Sequence, residues 1–282
     1  MVHVGYYNGR IEPLETLMIP ANDRAVYFGD GVYEALLFRG RRMFGLEEHL
    51  DRFESSCRMV RLTPRLSRSE LKAELEKCID AADSPDGMIY WQLTRGTDMR
   101  HHDFPAPEIP TNLLITTKPV PMPTFAKKRR LKTVEDTRYL HCNIKTLNLL
   151  PSVMAVQTAK EAGCDEAVFH RGEIVTECGH SNLLILKNGV LRTHPADNLI
   201  LPGITRKHLL ALAPQVGIPV DETPFTLAEM RDADEILVTS STVLFSTAEE
   251  VDGEKVGGGA PALCDRLRRA YMDMFETCTS ST

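Results

Sequence analysis

A proline stands at every second position of Pro119-Val120-Pro121-Met122-Pro123, and no other stretch limits the fold of this chain so strongly. Each proline lacks a backbone amide hydrogen and holds φ near about −65°, so neither a helix nor the inside of a sheet can run through the segment. A chain of 282 residues is long enough for one large or two modest domains. The amide-poor stretch favours two. Residues 1–118 are expected to form a small N-terminal α/β domain, residues 119–123 a linker, and residues 124–282 a larger, sheet-rich C-terminal domain.

In the first part, residues 2–7 and 10–14 flank Asn8-Gly9, which tolerates the positive φ angles of a two-residue hairpin turn. Residues 32–38 are β-branched, aromatic and apolar and read as a strand turning at Arg39-Gly40, with Tyr33, Ala35 and Leu37 on one face. Leu46, Leu50, Phe53 and Cys57 recur at helical spacing, which leaves Glu47, Glu48, Asp51 and Arg52 nearer the polar side. Ser67-Arg68-Ser69-Glu70 matches a capping box, and Leu71, Leu75, Cys78, Ile79 and Ala82 form the stripe behind it. Residues 88–95 and 113–117 read as further strands.

Beyond the linker, residues 130–134 and 139–145 are strand candidates, and residues 150–162 a helix stopped by Gly163. Hairpins are expected around Arg171-Gly172 and Asn188-Gly189, strands near Val220 and over residues 235–239, and helices over 205–215 and 260–276. A formal charge of −6 leaves no basic footprint for nucleic acid or an anionic membrane, and no apolar run is long enough to span a bilayer. Seven cysteines, odd in number and without CxxC spacing, signal neither a disulfide framework nor a zinc site. The start, Met1-Val2-His3-Val4-Gly5, has no basic segment followed by an apolar core, so a cytoplasmic protein with reduced thiols is expected.

One lysine has a setting suited to chemistry. Lys145 lies in His141-Cys142-Asn143-Ile144-Lys145-Thr146-Leu147-Asn148, a run with few charges ahead of a helix-like segment. An amine partly desolvated there would lose proton affinity and gain nucleophilicity for Schiff-base or proton-transfer work. The stretch Asn143 to Asn148, with Tyr27-Phe28-Gly29-Asp30-Gly31-Val32-Tyr33-Glu34 upstream and Thr176-Glu177 downstream, resembles the fold-type IV pyridoxal-phosphate transaminases. Thr94-Arg95-Gly96-Thr97 followed by Arg100-His101-His102 is most similar to the D-amino-acid transaminases within that family, and the resemblance runs from about Tyr7 to Thr242.

This resemblance implies an α/β (α+β) fold of two domains, the larger one a sheet-rich pseudo-barrel, and pyridoxal 5'-phosphate as cofactor. It makes Lys145 the imine lysine and proton shuttle, Glu177 the partner of the pyridine nitrogen, and Arg52 the phosphate arginine. Ile204 and Thr205 at a helix start, with Ser240 and Ser241, would complete the phosphate cradle. Tyr33, Arg100 and His102 would hold the substrate carboxylate, with Thr242 beside them; the loop of Arg100 reaches across to a partner subunit in that family, which implies a homodimer. The partners expected are a small amino donor and a 2-oxo acid acceptor such as 2-oxoglutarate, with no nucleic acid, membrane or metal. Taken singly, each residue also fits an ordinary place: a surface lysine, a hairpin carboxylate, a solvated helix arginine, a plain helix cap, a strand end, a polar loop.

Other readings stay open at this point: a branched-chain L-amino-acid or (R)-amine transaminase, an aminodeoxychorismate lyase, or a cofactor-binding carrier without turnover. Two departures from the D-amino-acid pattern leave side-chain specificity open. These are Cys178-Gly179-His180-Ser181-Asn182 after Glu177, and residues 243–249 after Thr242.

Overall fold

The computed structural model describes residues 3–123 and 127–280 and divides the chain into two compact units. The first holds Met1–Met122, Ile144–Asn148 and Cys278–Thr282, and the second Pro123–Asn143 and Leu149–Thr277. The lysine stretch therefore packs with the first unit and not with the residues on either side of it. Its attachment is backbone pairing: Thr146 bridges Val32, and the Leu147 amide donates to the Gly31 carbonyl at 3.1 Å.

The first unit is a six-stranded antiparallel sheet covered by helices. Its strands are β1 (Val4–Tyr7), β2 (Arg10–Pro13), β3 (Gly31–Arg39), β4 (Arg42–Met43), β5 (Gly87–Thr94) and β6 (Asn112–Lys118), hydrogen-bonded in the order β2-β1-β6-β5-β3-β4. Asn8 and Gly9 take φ values of 48° and 98°, as the expected hairpin requires. A five-residue helix α1 (Arg24–Phe28) precedes β3, and α2 (Leu46–Met59) and α3 (Arg68–Ala81) follow. The capping box forms: the Glu70 amide donates to the Ser67 hydroxyl and the Ser67 amide to the Glu70 carboxylate. Leu50, Phe53, Leu75 and Ile79 are buried with Leu36, Phe38 and Trp91 of the sheet. Truncating a fully buried residue such as Leu75 to alanine costs about 2–5 kcal/mol.

The second unit is built on β7 (Lys128–Glu135), β8 (Glu166–Arg171), β9 (Ile174–Cys178), β10 (Asn182–Lys187), β11 (Val190–Thr193), β12 (Val220–Asp221), β13 (Glu235–Ser240), β14 (Leu244–Val251) and β15 (Glu254–Lys255). The order is β12-β11-β10-β13-β14-β7-β8-β9, with β15 paired to β14, and β7 runs parallel to both β14 and β8. β9 ends that path, yet a three-residue turn joins it to β10, with the Cys178 amide donating to the Ser181 carbonyl at 2.8 Å. Such a short link between distant members of one sheet forces the sheet to curl into a half-barrel. Helices α4 (Leu150–Glu161), α5 (Ile204–Gln215), α6 (Leu227–Arg231) and α7 (Pro261–Thr279) complete the chain.

The expected strand over 139–145 does not form; the segment is a series of turns. Its stretch of Tyr, Leu, Cys and Ile resembles strand composition, but its amides are used elsewhere: Cys142 donates to Asn198 O and Lys145 to Ser56 Oγ. The strand β14, which the sequence reading did not identify, is buried through Leu244–Ala248 and pairs with both β13 and β7.

Candidate active site

Core-facing positions of β3 are Val32, Glu34, Leu36 and Phe38, all fully buried. A carboxylate in that row must be matched by charge and hydrogen bonds, because a lone buried charge costs several kcal/mol. Helix α2 supplies the match from one face. Arg52 donates through Nε and Nη2 to the two Glu34 oxygens at 2.6 and 2.8 Å, and His49 Nδ1 lies 2.7 Å from Glu34 Oε2. Burial pushes the Glu34 carboxyl up, but Arg52 and His49 outweigh it and hold it well below the usual carboxylate range. Burial likewise holds His49 below its ordinary value despite the pull of Glu34. Arg52, expected on the polar side of α2, is thus buried at 8% exposure, because its fork meets a carboxylate that helical spacing could not reveal.

One turn after Arg52 on the same helix face, Ser56 Oγ accepts from the Lys145 amide at 3.3 Å, and the Lys145 carbonyl accepts from the Tyr33 amide at 2.9 Å. Lys145 is held at both backbone groups and its side chain is half-buried, as the sequence led us to expect. Its Nζ sits 4.3 Å from the centre of the Tyr33 ring, which stacks on Tyr90. Gly31 allows this approach: a Cβ there would lie 2.5 Å from the Leu93 carbonyl and 2.7 Å from the Leu147 side chain.

In the second unit, Glu177 is the penultimate residue of β9, beside the turn that closes the half-barrel. Its Oε1 accepts from Arg138 Nη1 at 2.5 Å, and its Oε2 accepts from Asn182 Nδ2 at 2.9 Å and the Leu201 amide at 3.1 Å. Arg138 is locked in turn by Asp136 at 2.9 and 3.0 Å. Burial pushes Asp136 up, but Arg138 and Arg171 outweigh it and hold it low. Asn182 also fixes the start of α5: its Nδ2 donates to the Leu201 carbonyl at 2.9 Å, and a Cβ on the N-cap Gly203 would fall 1.9 Å from its Oδ1, so any larger residue there must displace this amide. Helix α5 has no side-chain cap and no acidic residue in its first turn, which leaves the positive end of its dipole to an anion. Ile204 and Thr205 form that first turn and are buried, and Tyr271 donates to the Thr205 hydroxyl at 3.4 Å. Across the sheet Asn182 faces Thr239, whose buried Oγ1 has no partner among the described residues. Ser240 ends β13, and Ser241 and Thr242 follow in the adjoining turn, where the Val243 amide donates to Ser240 Oγ.

A helix start, hydroxyls and an uncapped glycine suit a phosphate, and a charge-paired carboxylate suits a protonated ring nitrogen. The class IV amino-transferase family profile matches residues 31–250, and a D-alanine aminotransferase of Listeria monocytogenes is 40% identical over 257 residues, 89% of each chain. The chain belongs to the class IV aminotransferase family. A D-alanine aminotransferase of Bacillus licheniformis is 36% identical over 98% of both chains. The solved branched-chain amino acid aminotransferase of Escherichia coli shares the fold with a TM-score of 0.89 at 22% identity, covering 100% of this chain and 97% of its own. Class IV aminotransferases depend on pyridoxal 5'-phosphate, and the donor set of this aminotransferase fits that group.

The remaining substrate candidates lie in the loop after β5. Arg100 places its guanidinium 5.2 Å over the Phe28 ring, and the His102 ring centre is 5.3 Å from the same ring. The structure brings these two together on Phe28; among the described residues no hydrogen bond or ring contact joins either to Tyr33 or Lys145. His180, the departure noted after Glu177, is half exposed with Nδ1 2.9 Å from the buried Glu166. Sequence reasoning missed Glu34, His49 and Arg138. Glu34 and His49 carry a weak signal, a charge in a strand's core register and a polar residue beside an apolar stripe, whereas Arg138 carries none.

Proposed function

We propose that this aminotransferase moves the amino group of D-amino acids, D-alanine foremost, to a 2-oxo acid such as 2-oxoglutarate. The observation that carries this is the 36–40% identity to D-alanine aminotransferases over nearly the whole chain. The Arg100-His101-His102 loop supports it, since a guanidinium beside an imidazole suits a carboxylate. When bound, pyridoxal phosphate supplies the aldehyde carbon that takes up the amino nitrogen and the ring that accepts the electrons of the broken Cα–H bond.

The chain's residues supply the rest. Lys145 Nζ would take the substrate Cα proton and hand it back during amino transfer, in both directions of the exchange. Tyr33, packed on Tyr90, limits where that amine can point. Glu177, oriented by Arg138 and Asn182, holds the ring-nitrogen proton, while Arg52, Ile204, Thr205, Ser240 and Ser241 bind phosphate. Arg100, His102 and Tyr33 anchor the carboxylate, with Thr242 beside them. With Lys145 as the one amine that moves the proton, the side on which the carboxylate is anchored would decide which enantiomer turns its hydrogen toward it.

A homodimer fits this reading, with the Arg100 loop serving the partner's site. The exposed apolar side chains Met18, Val26, Met99 and Phe104 support such a contact. A cytoplasmic location is supported by the free thiols of all seven cysteines. Half-reaction spectra of the holoenzyme with D- and L-alanine test the main point. D-alanine should convert the bound cofactor at least about tenfold faster, a difference of roughly 1.4 kcal/mol. Preference for L-alanine would overturn the assignment.

A further inference from the structure

The loop bearing Arg100 and His102 is held on the segment 22–30 by contacts that its own sequence does not require. At its base, the Arg24 amide donates to Gly96 O at 2.9 Å, the Asp98 amide donates to Asn22 O at 3.1 Å, and Asp23 bridges Thr97. At its centre, Arg24 Nη1 donates to the His101 carbonyl at 2.9 Å, between the two candidate substrate residues. Arg24 is 2% exposed and its Nε is paired with Asp30 at 2.9 Å. Asp30 also pairs with Arg95, whose guanidinium lies 3.7 Å over the ring of Phe104 farther along the loop. Phe28 is the third support. The Arg24 guanidinium lies 4.9 Å from its ring centre, Arg100 5.2 Å and the His102 ring 5.3 Å. The ring is itself fixed, because Asp23 caps α1 and Gly29, at φ 60°, closes it.

We propose that Phe28 and Arg24 are positioning residues for capture of the substrate carboxylate: they hold Arg100 and His102 in one arrangement before substrate arrives. This rests on the reading of Arg100 and His102 as the carboxylate anchor. Arg100 is exposed, and a free arginine side chain loses considerable rotamer freedom when it binds. Held over an aromatic face, it loses less. Arg24 does the same for the backbone between Arg100 and His102. Neither residue needs to touch the substrate.

The test is a set of steady-state measurements on holoenzyme variants with D-alanine. Phe28→Leu keeps the apolar volume and removes the ring face, and Arg24→Lys keeps the charge without the two-ended grip. Each should raise KM for D-alanine about threefold to tenfold with kcat within about twofold, the size of effect expected from losing one cation–π or hydrogen-bond support of the binding arginine. In an Arg100→Ala/His102→Ala background the same substitutions should add less than about twofold, since residues that act through a common group are not additive. Equal effects in both backgrounds would overturn the proposal, leaving Phe28 and Arg24 as ordinary structural residues. So would a doubled-to-single change in molecular mass on Phe28→Leu, which would place the ring in subunit assembly. If Phe28→Leu fails to fold, Arg24→Lys decides alone, and an unchanged KM for it overturns the proposal. If Arg100→Ala/His102→Ala itself leaves KM for D-alanine unchanged, the anchor reading fails, which is a distinct result.

Discussion

Arg52 shows how packing can fix a residue in advance of the phosphate binding proposed for it. Two of its nitrogens hold the fully buried Glu34, so its guanidinium plane is set before any phosphate arrives. Arg52→Ala should weaken cofactor retention and also strand the Glu34 charge, a loss of about 3–5 kcal/mol for a broken buried pair. Pyridoxal-phosphate titration and urea unfolding measure the two effects; unchanged values in both would remove Arg52 from either role. Glu177→Gln keeps the shape of the side chain and its contact with Arg138 while removing the charge. A charge-assisted hydrogen bond contributes about 1.5–3 kcal/mol, so amino transfer should fall by roughly one to two orders of magnitude in single-turnover assays. Borohydride treatment of the holoenzyme followed by peptide mapping should find the label on Lys145, and a label on another lysine would displace it.

At the scale of elements, the start of α5 depends on one missing Cβ. Gly203→Ala drives a methyl group into Asn182 Oδ1, and Asn182 is also the hydrogen-bond donor to Glu177. The variant should lose about 1–3 kcal/mol of stability from overpacking and bind pyridoxal phosphate more weakly; equilibrium dialysis that found the wild-type affinity would contradict this. The loop after β5 carries a pH-dependent brace. His101 Nε2 meets Asp98 at 2.9 Å and its Nδ1 meets Asp103 at 3.1 Å, and only the protonated ring can donate to both. The bond to Asp98 raises the His101 pKa; burial opposes the rise, and the charge of Asp103 adds to it. The brace is therefore complete below the ordinary histidine pKa and is lost as pH rises through the raised value. KM for the oxo acid, which has no amine to titrate, should climb over that window in the wild type and stay flat in His101→Gln.

For the whole molecule, acid stability depends on carboxylates that link distant parts of each unit. Asp252 accepts from the Thr133 amide and hydroxyl, from Lys132 and from Arg231, tying β7 to α6. Burial pushes its pKa up, but these donors bring it down to about 2, below the ordinary value of 3.8. A lowered carboxylate pKa adds stability above the unfolded value and loses it as pH falls through the folded one. Asp252 should thus contribute on the order of 2 kcal/mol above pH ~4 that disappears toward pH ~2. Glu34 and Asp136 act with the same sign. Urea midpoints should fall steeply over this range, and less steeply in Asp252→Asn.

Local patterns determined the local elements. Apolar residues three and four apart marked α2 and α3, Ser67 and Glu70 marked a helix start, and Asn-Gly pairs marked two hairpins, because each depends on forces between residues close in the chain. The identity of Lys145 and Glu177 as reactive candidates also came from short runs of sequence, through their resemblance to a family. The partners of those residues did not. Arg138 meets Glu177 across 39 positions, Glu34 meets Arg52 across 18, and Asn182 meets Gly203 through a curled sheet. The same holds for Ile144–Asn148, which follows the linker in sequence but joins the first unit through Val32 and Gly31. Strand order and register decide such meetings, and these arise when separate apolar faces find a shared core. A local period records which face is buried; only the folded chain decides what that face is buried against.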